Sequence, residues 1–148
     1  MAAVVALAPP FLCYNRRTMR RGKNPETIIT GQIREILKLM RVEHTKNWGG
    51  PMSERGVSDI IGTLQEPTVE IAADGKRTEY SAGRSFYCEI KVPGKEATEE
   101  QTAFLDRMRS AEAVCIVVHG VRELLAELSK REFKPAERIA AQLIGGTY

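Results

Sequence analysis

The sequence predicts a small α/β domain in which helices flank a mixed central β-sheet. Segments with helical and strand patterns follow one another as a helix, a run of strands, a helix, a strand and further helices. The stretch AVCIVVHG (113–120) is a continuous apolar strand, typical of a sheet that is covered on both faces. A strand, a helix and this apolar strand succeed one another from Glu89 to Val114, and such a crossover makes the two strands parallel.

The first helix is predicted from Pro25 to Arg41. Asn24 is a suitable N-cap and Pro25 suits the first helical position. Apolar side chains recur at helical spacing on one face, namely Ile29, Ile33, Ile36, Leu37 and Met40. A short strand is expected over residues 42–46, followed by a glycine-rich loop.

Strands are predicted for the middle of the chain. VSDIIGTL (57–64) is one expected strand. Residues 68–92 are typical of a strand, a turn and a second strand, with Asp74-Gly75 as the hairpin signal.

The second half is predicted to be mainly helical. In TEEQTAFLDRMRSA (98–111), Thr98 and Gln101 form a capping box, and Phe104, Leu105 and Met108 lie on one face. After the apolar strand, VRELLAELSKREF (121–133) predicts another helix, and PAERIAAQLIGG (135–146) predicts one more short helix.

Composition indicates a soluble, mildly basic protein of 148 residues, with a net charge of +3. This charge permits a polyanionic partner without requiring one. The three cysteines (Cys13, Cys88, Cys115) contain no close pair, and there are two histidines, so neither a disulfide framework nor a zinc knuckle is indicated. Reduced thiols in a cytoplasm are the simplest interpretation.

The first 24 residues are expected to form a basic arm that precedes a domain of residues 25–148. The apolar run at the N-terminus is broken by Pro9 and Pro10 and is too short to span a membrane. Its positive charges follow the apolar run, whereas a secretory signal has them before it. The basic segment RRTMRRGK (16–23) is either a solvated linker or an arm that contacts phosphates.

Charged residues interrupt two of the predicted strands. Asp59 lies within GVSDIIG (56–62), and Glu89 and Lys91 lie two positions apart within FYCEIKVPG (86–94). Residues at positions i and i+2 of a strand point to the same face, so Glu89 and Lys91 are neighbours. Because it is costly to bury an unpaired charge, these three residues require an explanation.

A divalent metal site is one explanation. Two carboxylates on neighbouring strands make an oxygen site suited to Mg²⁺ or Mn²⁺, which activates water and stabilises charge on a phosphate. Lys91 on the same face is able to orient or deprotonate that water, or to stabilise the phosphorane by its charge. The alternative is that Asp59 is a turn residue and that Glu89 and Lys91 face solvent on an edge strand.

Three stretches together resemble the VRR-NUC (virus-type replication-repair nuclease) family of the PD-(D/E)XK nuclease superfamily. They are GVSDIIG, CEIKVPGKEATEEQTAFLDRMRSA (88–111) and AVCIVVHG. The D…E-x-K pattern is weak alone. Its combination with K-x-P-G, with T-x-x-Q at a helix start and with the apolar strand is fairly specific. The resemblance extends over about residues 26–128 and implies a restriction-endonuclease-like core.

The resemblance implies a role for each matching residue. Lys91 matches the catalytic lysine, and Gln101 matches a glutamine that opens the following helix and reaches the site. Gln101 is also interpretable as the capping-box partner of Thr98 alone. Ser58 takes a place often held by proline. The expected metal ligands are Glu26, Asp59, Glu89 and Ile90, and the expected catalytic residues are Glu26, Asp59, Glu89, Lys91 and Gln101.

The chain departs from the family pattern in two places. The family often has a glutamine four residues after the glutamate of its first helix, where this chain has Thr30, so Gln32 and Glu35 are fallback candidates for Glu26. Asp59 and Glu89 are thirty positions apart, more than the compact pattern. A hairpin extension around Asp74-Gly75 would account for the extra residues and could contact DNA or a second subunit.

The implied function is that of a Mg²⁺- or Mn²⁺-dependent endodeoxyribonuclease. It would act as a homodimer on branched DNA such as Holliday junctions or flaps, in the cytoplasm of a bacterium or a phage-infected cell. The alternatives are a DNA-binding module with a vestigial nuclease site, a nuclease for linear duplex DNA, and a structural or interaction protein. The expected DNA contacts are Arg16, Arg17, Arg20, Arg21, Lys23, Lys46, Asn47, Trp48 and Lys95.

Overall fold

The fold is mixed α/β, with helices flanking a β-sheet. The computed structural model describes residues 24–50 and 52–145. In chain order the elements are α1 (Pro25–Leu39), β1 (Glu43–Lys46), β2 (Ile60–Ile71), β3 (Arg77–Ile90), α2 (Glu99–Ser110), β4 (Val114–Val118), α3 (Val121–Lys130) and α4 (Lys134–Gly145). The predicted fold class is confirmed at this level. The predicted basic arm lies, up to residue 23, outside the described residues.

The four strands form one sheet in the order β1-β2-β3-β4. The first two pairs are antiparallel, and β3 and β4 are parallel. The parallel pair is connected through α2, which confirms the predicted crossover. β3 is therefore an interior strand along residues 86–90, with β2 on one side and β4 on the other.

The sheet is covered on both faces. On one face, α1, α3 and α4 pack against alternate strand residues such as Phe86, Cys88 and Ile116. On the other face, α2 packs through Phe104 and Leu105, and the rings of Tyr87 and Phe104 meet edge to face at 5.4 Å. This arrangement explains why β4 is apolar at every position. In residues 24–50 and 52–145, no helix has the length and apolar character needed to cross a membrane.

The two helix caps predicted at Asn24 and Thr98 are confirmed. The Asn24 carboxamide oxygen accepts a hydrogen bond from the Glu26 N–H at 3.1 Å. Thr98 and Gln101 form the full capping box at the start of α2. These contacts satisfy N–H groups that have no partner within the first turn of a helix.

Several predicted boundaries are wrong. The strands predicted over residues 57–64 and from residue 68 form one continuous strand, β2, and the helix predicted over residues 121–133 ends at Lys130. α1 ends at Leu39, because Arg41 takes a positive φ of 56° that a continuing helix does not allow. β2 begins at Ile60 instead of residue 57, so Asp59 lies in the bend before the strand. β3 ends at Ile90, which places Lys91 immediately after the strand.

The outer parts of β2 and β3 form a two-stranded ribbon (residues 65–85). β1 pairs only with residues 60–63 of β2, and β4 pairs only with residues 86–90 of β3. At the tip, the Asp74 carboxylate accepts a hydrogen bond from the Lys76 N–H at 2.9 Å, and Gly75 takes a φ of 81° that favours glycine. The predicted hairpin is thus confirmed, and most of its side chains are exposed to solvent.

The contrast between the covered sheet and the ribbon gives a stability prediction. Phe86 and Tyr80 lie on β3 with the same side-chain direction, but Phe86 is fully buried and Tyr80 is 46% exposed. We expect Phe86→Ala to lower the free energy of unfolding by about 3–5 kcal/mol through lost burial and a cavity, and Tyr80→Ala to lower it by less than about 1 kcal/mol. Urea unfolding followed by circular dichroism measures both. Equal losses would show that the ribbon is part of the cooperative core.

Candidate active site

Asp59 and Glu89 point to the same face of the sheet. Ile60 pairs directly with Cys88, and both side chains belong to the core on the α1 face. Side chains alternate along a strand, so the next residues outward, Asp59 and Glu89, point to the α2 face. The site therefore lies at one end of the β2–β3 pair, next to the start of α2.

Glu89 is a buried carboxylate whose two oxygens have different hydrogen-bond surroundings. Its side chain is 1% exposed. One oxygen, Oε1, accepts hydrogen bonds from the Lys91 ammonium at 2.8 Å and from the Gln101 carboxamide at 2.5 Å. The other oxygen, Oε2, is buried and has no hydrogen-bond partner in the described part of the chain. The alternative in which Glu89 faces solvent on an edge strand is therefore wrong.

The burial of Glu89 changes its acidity. Burial raises the pKa of Glu89 from 4.5 to about 7, because the charged form loses its hydration. The hydrogen bond from Lys91 acts against this rise, and the negative charge of Asp59 adds to it. Near neutral pH the carboxyl group therefore exchanges readily between its protonated and ionised forms.

Asp59 connects the bend before β2 to the end of β3 through a hydrogen bond. Its Oδ2 accepts a hydrogen bond from the Ile90 N–H at 2.8 Å, and its carbonyl accepts one from the Asn47 N–H at 2.8 Å. In a strand, the N–H and C=O of one residue point to the same side. The Ile90 carbonyl therefore also points toward the Asp59 side, beyond the last paired residues of the β2–β3 ladder.

Gln101 connects the start of α2 to the site. Its carboxamide oxygen accepts a hydrogen bond from the Thr98 N–H at 2.9 Å, while its nitrogen donates to Glu89. The two interpretations of this residue are thus compatible, since one side chain caps the helix and holds the carboxylate. Only one orientation of the carboxamide satisfies both contacts.

Gly56 also contributes to the site and was not among the predicted residues. This residue has a φ of 80°, and a Cβ atom built on it would lie 2.5 Å from the Glu100 carbonyl oxygen and 3.0 Å from the Gln101 nitrogen. Only glycine allows the loop before Asp59 to approach the start of α2 so closely. A glycine three residues before the aspartate was the available signal, but its partner lies about 45 residues away in the chain.

The structure does not gather a third carboxylate at the site. In residues 24–50 and 52–145, no group of three or more His, Cys, Asp or Glu side chains is placed to hold a metal ion. The expected cluster of Glu26, Asp59 and Glu89 is therefore not formed. Of the fallback candidates, Gln32 lines a cleft of about 620 Å³ between α1 and the start of α3, and Glu35 pairs with Lys38 at 2.7 Å.

Near Glu26, α1 has a side-chain hydrogen bond within the helix itself. The Thr30 hydroxyl donates a hydrogen bond to the Glu26 carbonyl at 2.8 Å. Thr30 is 6% exposed. It therefore satisfies its hydroxyl within α1, without reaching toward Asp59 or Glu89.

The expected DNA contacts divide into three groups. Trp48 is 76% exposed, and the Lys46 ammonium lies 4.2 Å from the centre of its ring. Asn47, between them, binds the Asp59 carbonyl through its backbone N–H, so this loop adjoins the site. Lys95 is exposed in the loop after β3. The remaining predicted contacts, Arg16, Arg17, Arg20, Arg21 and Lys23, lie outside the described residues.

Comparison of the chain with models of protein families, with curated proteins and with solved structures finds no match. Any functional conclusion therefore rests on the residues of the site and on their geometry.

The raised pKa of Glu89 predicts a particular dependence of stability on pH. The folded state binds this proton more tightly than the unfolded state, whose pKa is 4.5. The stability contributed by the proton is therefore full below pH 4.5 and is lost as pH rises toward about 7. The loss over this window is up to about 3 kcal/mol. Above about pH 7, the titration of Glu89 changes the free energy of unfolding no further.

Glu89→Gln removes this titration and is the matched test. Urea unfolding of both proteins at pH 5 and pH 8, with a chelator present, measures the difference in their free energies of unfolding. From pH 5 to pH 8, we expect the free energy of unfolding of the variant to rise by about 2–3 kcal/mol relative to that of the unmodified protein. Titration of other groups cancels in this difference. If the difference between the two free energies of unfolding is the same at both pH values, the pKa of Glu89 is not raised in the folded protein.

Proposed function

We propose that this chain is a metal-dependent, structure-selective DNA endonuclease of the VRR-NUC type, with a PD-(D/E)XK core. It hydrolyses phosphodiester bonds in branched DNA such as Holliday junctions or flaps. The observation that carries the proposal is the arrangement at Glu89. One of its oxygens is held by Lys91 and Gln101, and the other is buried without a partner beside a second carboxylate, that of Asp59.

The residues present fit Mg²⁺ or Mn²⁺. An unpartnered oxygen in a buried carboxylate is unfavourable unless a cation or a proton satisfies it. Glu89, Asp59 and the carbonyl of Ile90 would supply three oxygen ligands from one end of the sheet. Mg²⁺ commonly takes one or two carboxylates from a protein and completes its shell with water and substrate phosphates. A third carboxylate from Glu26 is therefore not required.

A bound Mg²⁺ or Mn²⁺ supplies Lewis-acid stabilisation of charge on the phosphate and makes a bound water more acidic. Lys91 supplies the adjacent positive charge. Its ammonium is held 2.8 Å from Glu89, and its side chain is 15% exposed, so it can reach a substrate at the edge of the site. In this position it orients the attacking water and stabilises the negative charge that develops on the phosphorane.

Gln101 and Asp59 position these groups. The Gln101 carboxamide fixes the Glu89 oxygen that faces Lys91, which leaves the second oxygen for the metal. Asp59 is fixed by the Ile90 N–H. In-line attack would leave a 3′-hydroxyl and a 5′-phosphate, as the resemblance implies.

The loop of Lys46, Asn47 and Trp48 supports a nucleic-acid substrate. An exposed indole ring stacks on unpaired bases, which a single-stranded flap offers and plain duplex does not. Lys46 lies over the same ring and adds a positive charge for the DNA backbone. Since Asn47, the neighbour of Trp48, binds the carbonyl of Asp59, this loop adjoins the site.

The substrate proposal predicts selective, metal-dependent cleavage. Labelled four-way junctions, flaps and plain duplex are incubated with the full chain in Mn²⁺, in Mg²⁺ or in a chelator. We expect cleavage of the branched substrates in either metal and none with the chelator. Cleavage of duplex at the same rate would contradict the branched substrate and favour a nuclease for linear DNA. Binding without any cleavage would contradict the nuclease and favour a DNA-binding module.

The role of Lys91 gives a second prediction. We expect Lys91→Ala to lower the cleavage rate by about 10²–10⁴-fold, because the charge beside the phosphate is lost, while affinity for the same DNA changes little. Lys130→Ala is the control, since it removes an equal charge from an exposed position on α3. Thermal unfolding shows whether either variant still folds. Normal cleavage by Lys91→Ala would show that the site is misplaced.

A further inference from the structure

The loop between β3 and α2 (residues 91–98) joins two parts of the candidate active site. It begins at Lys91, next to the end of β3, and it ends at Thr98, the N-cap of α2. Between them lies Lys95, an expected DNA contact that is exposed to solvent. A change in the position of this loop therefore moves Lys95 relative to the carboxylates of the site.

The middle of the loop is a tight turn. The Lys95 N–H donates a hydrogen bond to the Val92 carbonyl at 3.0 Å. Pro93 and Gly94 occupy the two central positions, and Gly94 has a φ of 85°. Proline followed by a residue of positive φ is typical of a type II turn. The turn fixes the shape of the loop, whereas its position on the domain depends on contacts from outside.

His119, which follows β4, supplies such a contact. Its Nε2 lies 2.8 Å from the Lys95 carbonyl oxygen, and its Nδ1 lies 2.9 Å from Oε2 of Glu123. The backbone N–H of His119 donates to the same Glu123 oxygen at 2.9 Å. The imidazole thus connects the loop to the first turn of α3, and we call this arrangement the His119 bridge.

Both ring nitrogens of His119 face groups that only accept hydrogen bonds. A carbonyl has no proton to donate, and the hydrogen bond from His119 lowers the pKa of Glu123, which keeps its carboxylate ionised. A neutral imidazole donates from one nitrogen and has a lone pair on the other, so it satisfies only one of the two contacts. The imidazolium donates from both nitrogens. The geometry of the bridge therefore requires the protonated ring.

The groups around the ring favour this charged form. Hydrogen bonds to Glu123 and to the Lys95 carbonyl raise the pKa of His119 above its ordinary value of 6.5, and the negative charge of Glu96 adds to the rise. Arg122 and Lys95 supply positive charge in the same cleft. The residues of α1 and α4 that line this cleft are uncharged, namely Ile29, Gln32, Ile36 and Leu143. The stability contributed by the bridge is therefore full below pH 6.5 and is lost as pH rises through the raised pKa of His119.

We propose that protonated His119 is a positioning residue, which holds the Lys95 loop at the candidate active site and releases it when the ring loses one proton. The proton that remains stays on Nδ1, because an ionised carboxylate is a stronger acceptor than a carbonyl. The lone pair of Nε2 then faces the Lys95 carbonyl oxygen, and the two repel each other. The contact with Glu123 is kept and the contact with the loop is lost. The consequence for DNA rests on the proposed function, in which the Lys95 ammonium contacts a phosphate.

Nuclear magnetic resonance of the full chain tests the bridge directly. At pH 6 we expect a proton on both ring nitrogens of His119, and at high pH a proton on Nδ1 alone. The ¹³C shift of the Lys95 carbonyl is expected to change with the same midpoint as the ring, because its hydrogen bond is lost in that step. We expect Glu123→Gln to lower the midpoint. Glu127→Gln removes the same charge from the next turn of α3, where it pairs with Lys130, and is expected to leave the midpoint unchanged.

Two substitutions separate the two contacts of the ring. The amide nitrogen of asparagine lies near the place of Nδ1 and that of glutamine near the place of Nε2, and neither amide titrates. We expect His119→Asn to bind a labelled DNA flap about fivefold more weakly at pH 6, as for one lost hydrogen bond. His119→Gln keeps a donor for Lys95, so it is expected to match the unmodified chain at pH 6 and to bind more tightly than it at pH 9. A chelator prevents cleavage, and titration of Glu89 affects all the chains alike.

A double substitution shows whether His119 acts through Lys95. In a Lys95→Ala chain, we expect His119→Asn to cause no further loss of affinity, since the contact that it positions is already absent. An equal, additional loss would overturn positioning through Lys95 and would make His119 a direct DNA contact. Unchanged affinity of His119→Asn in the otherwise unmodified chain would also overturn it.

The resonance and binding measurements fail in different ways. A single proton on the His119 ring at pH 6 would overturn the bridge, whatever the chain does to DNA. A Lys95 carbonyl that does not titrate with the ring would overturn it equally. If the unmodified chain does not bind the flap, the proposed function is contradicted, and the resonance measurements still decide whether His119 holds the loop.

Discussion

The burial of the Glu89 carboxylate is the constraint on which the arrangement of the site depends. A charge with 1% exposure is tolerated only when other groups replace its hydration, and Lys91 and Gln101 do so on one oxygen. This requirement fixes the start of α2 against the end of β3. It also demands the close approach of the Gly56 loop, which delivers Asp59 to the same face. Loop, strand end and helix start therefore form one unit.

Much of this unit follows from sequence pattern. Alternation along β3 predicts that Cys88 and Ile90 face the core while Glu89 and Lys91 face the other side, and the burial of Cys88 and Ile90 agrees. The capping box places Gln101 in the first turn of α2, where its carboxamide also contacts Glu89. Boundaries were less predictable, because the bend at Asp59 depends on hydrogen bonds from Asn47, just after β1, and from Ile90, at the end of β3.

Other features depend on contacts that a local pattern does not contain. The position of Glu26 is decided by how α1 packs on the sheet, and helical periodicity identifies its buried face without giving its distance from β2. The need for glycine at position 56 arises from the backbone of α2. The length of the ribbon was signalled by the spacing of Asp59 and Glu89, but its exposure depends on how short β1 and β4 are.

The two buried cysteines have a practical consequence. Cys88 belongs to the core beneath α1, α3 and α4, and Cys115 to the core beneath α2. Burial raises the pKa of both thiols, so they remain protonated and unreactive while their layers are closed. Each face of the sheet therefore has one buried cysteine that reacts only when the layer covering that face opens. The rate at which a thiol reagent labels each cysteine measures how often that layer opens, so local unfolding around the site can be separated from opening of the main core.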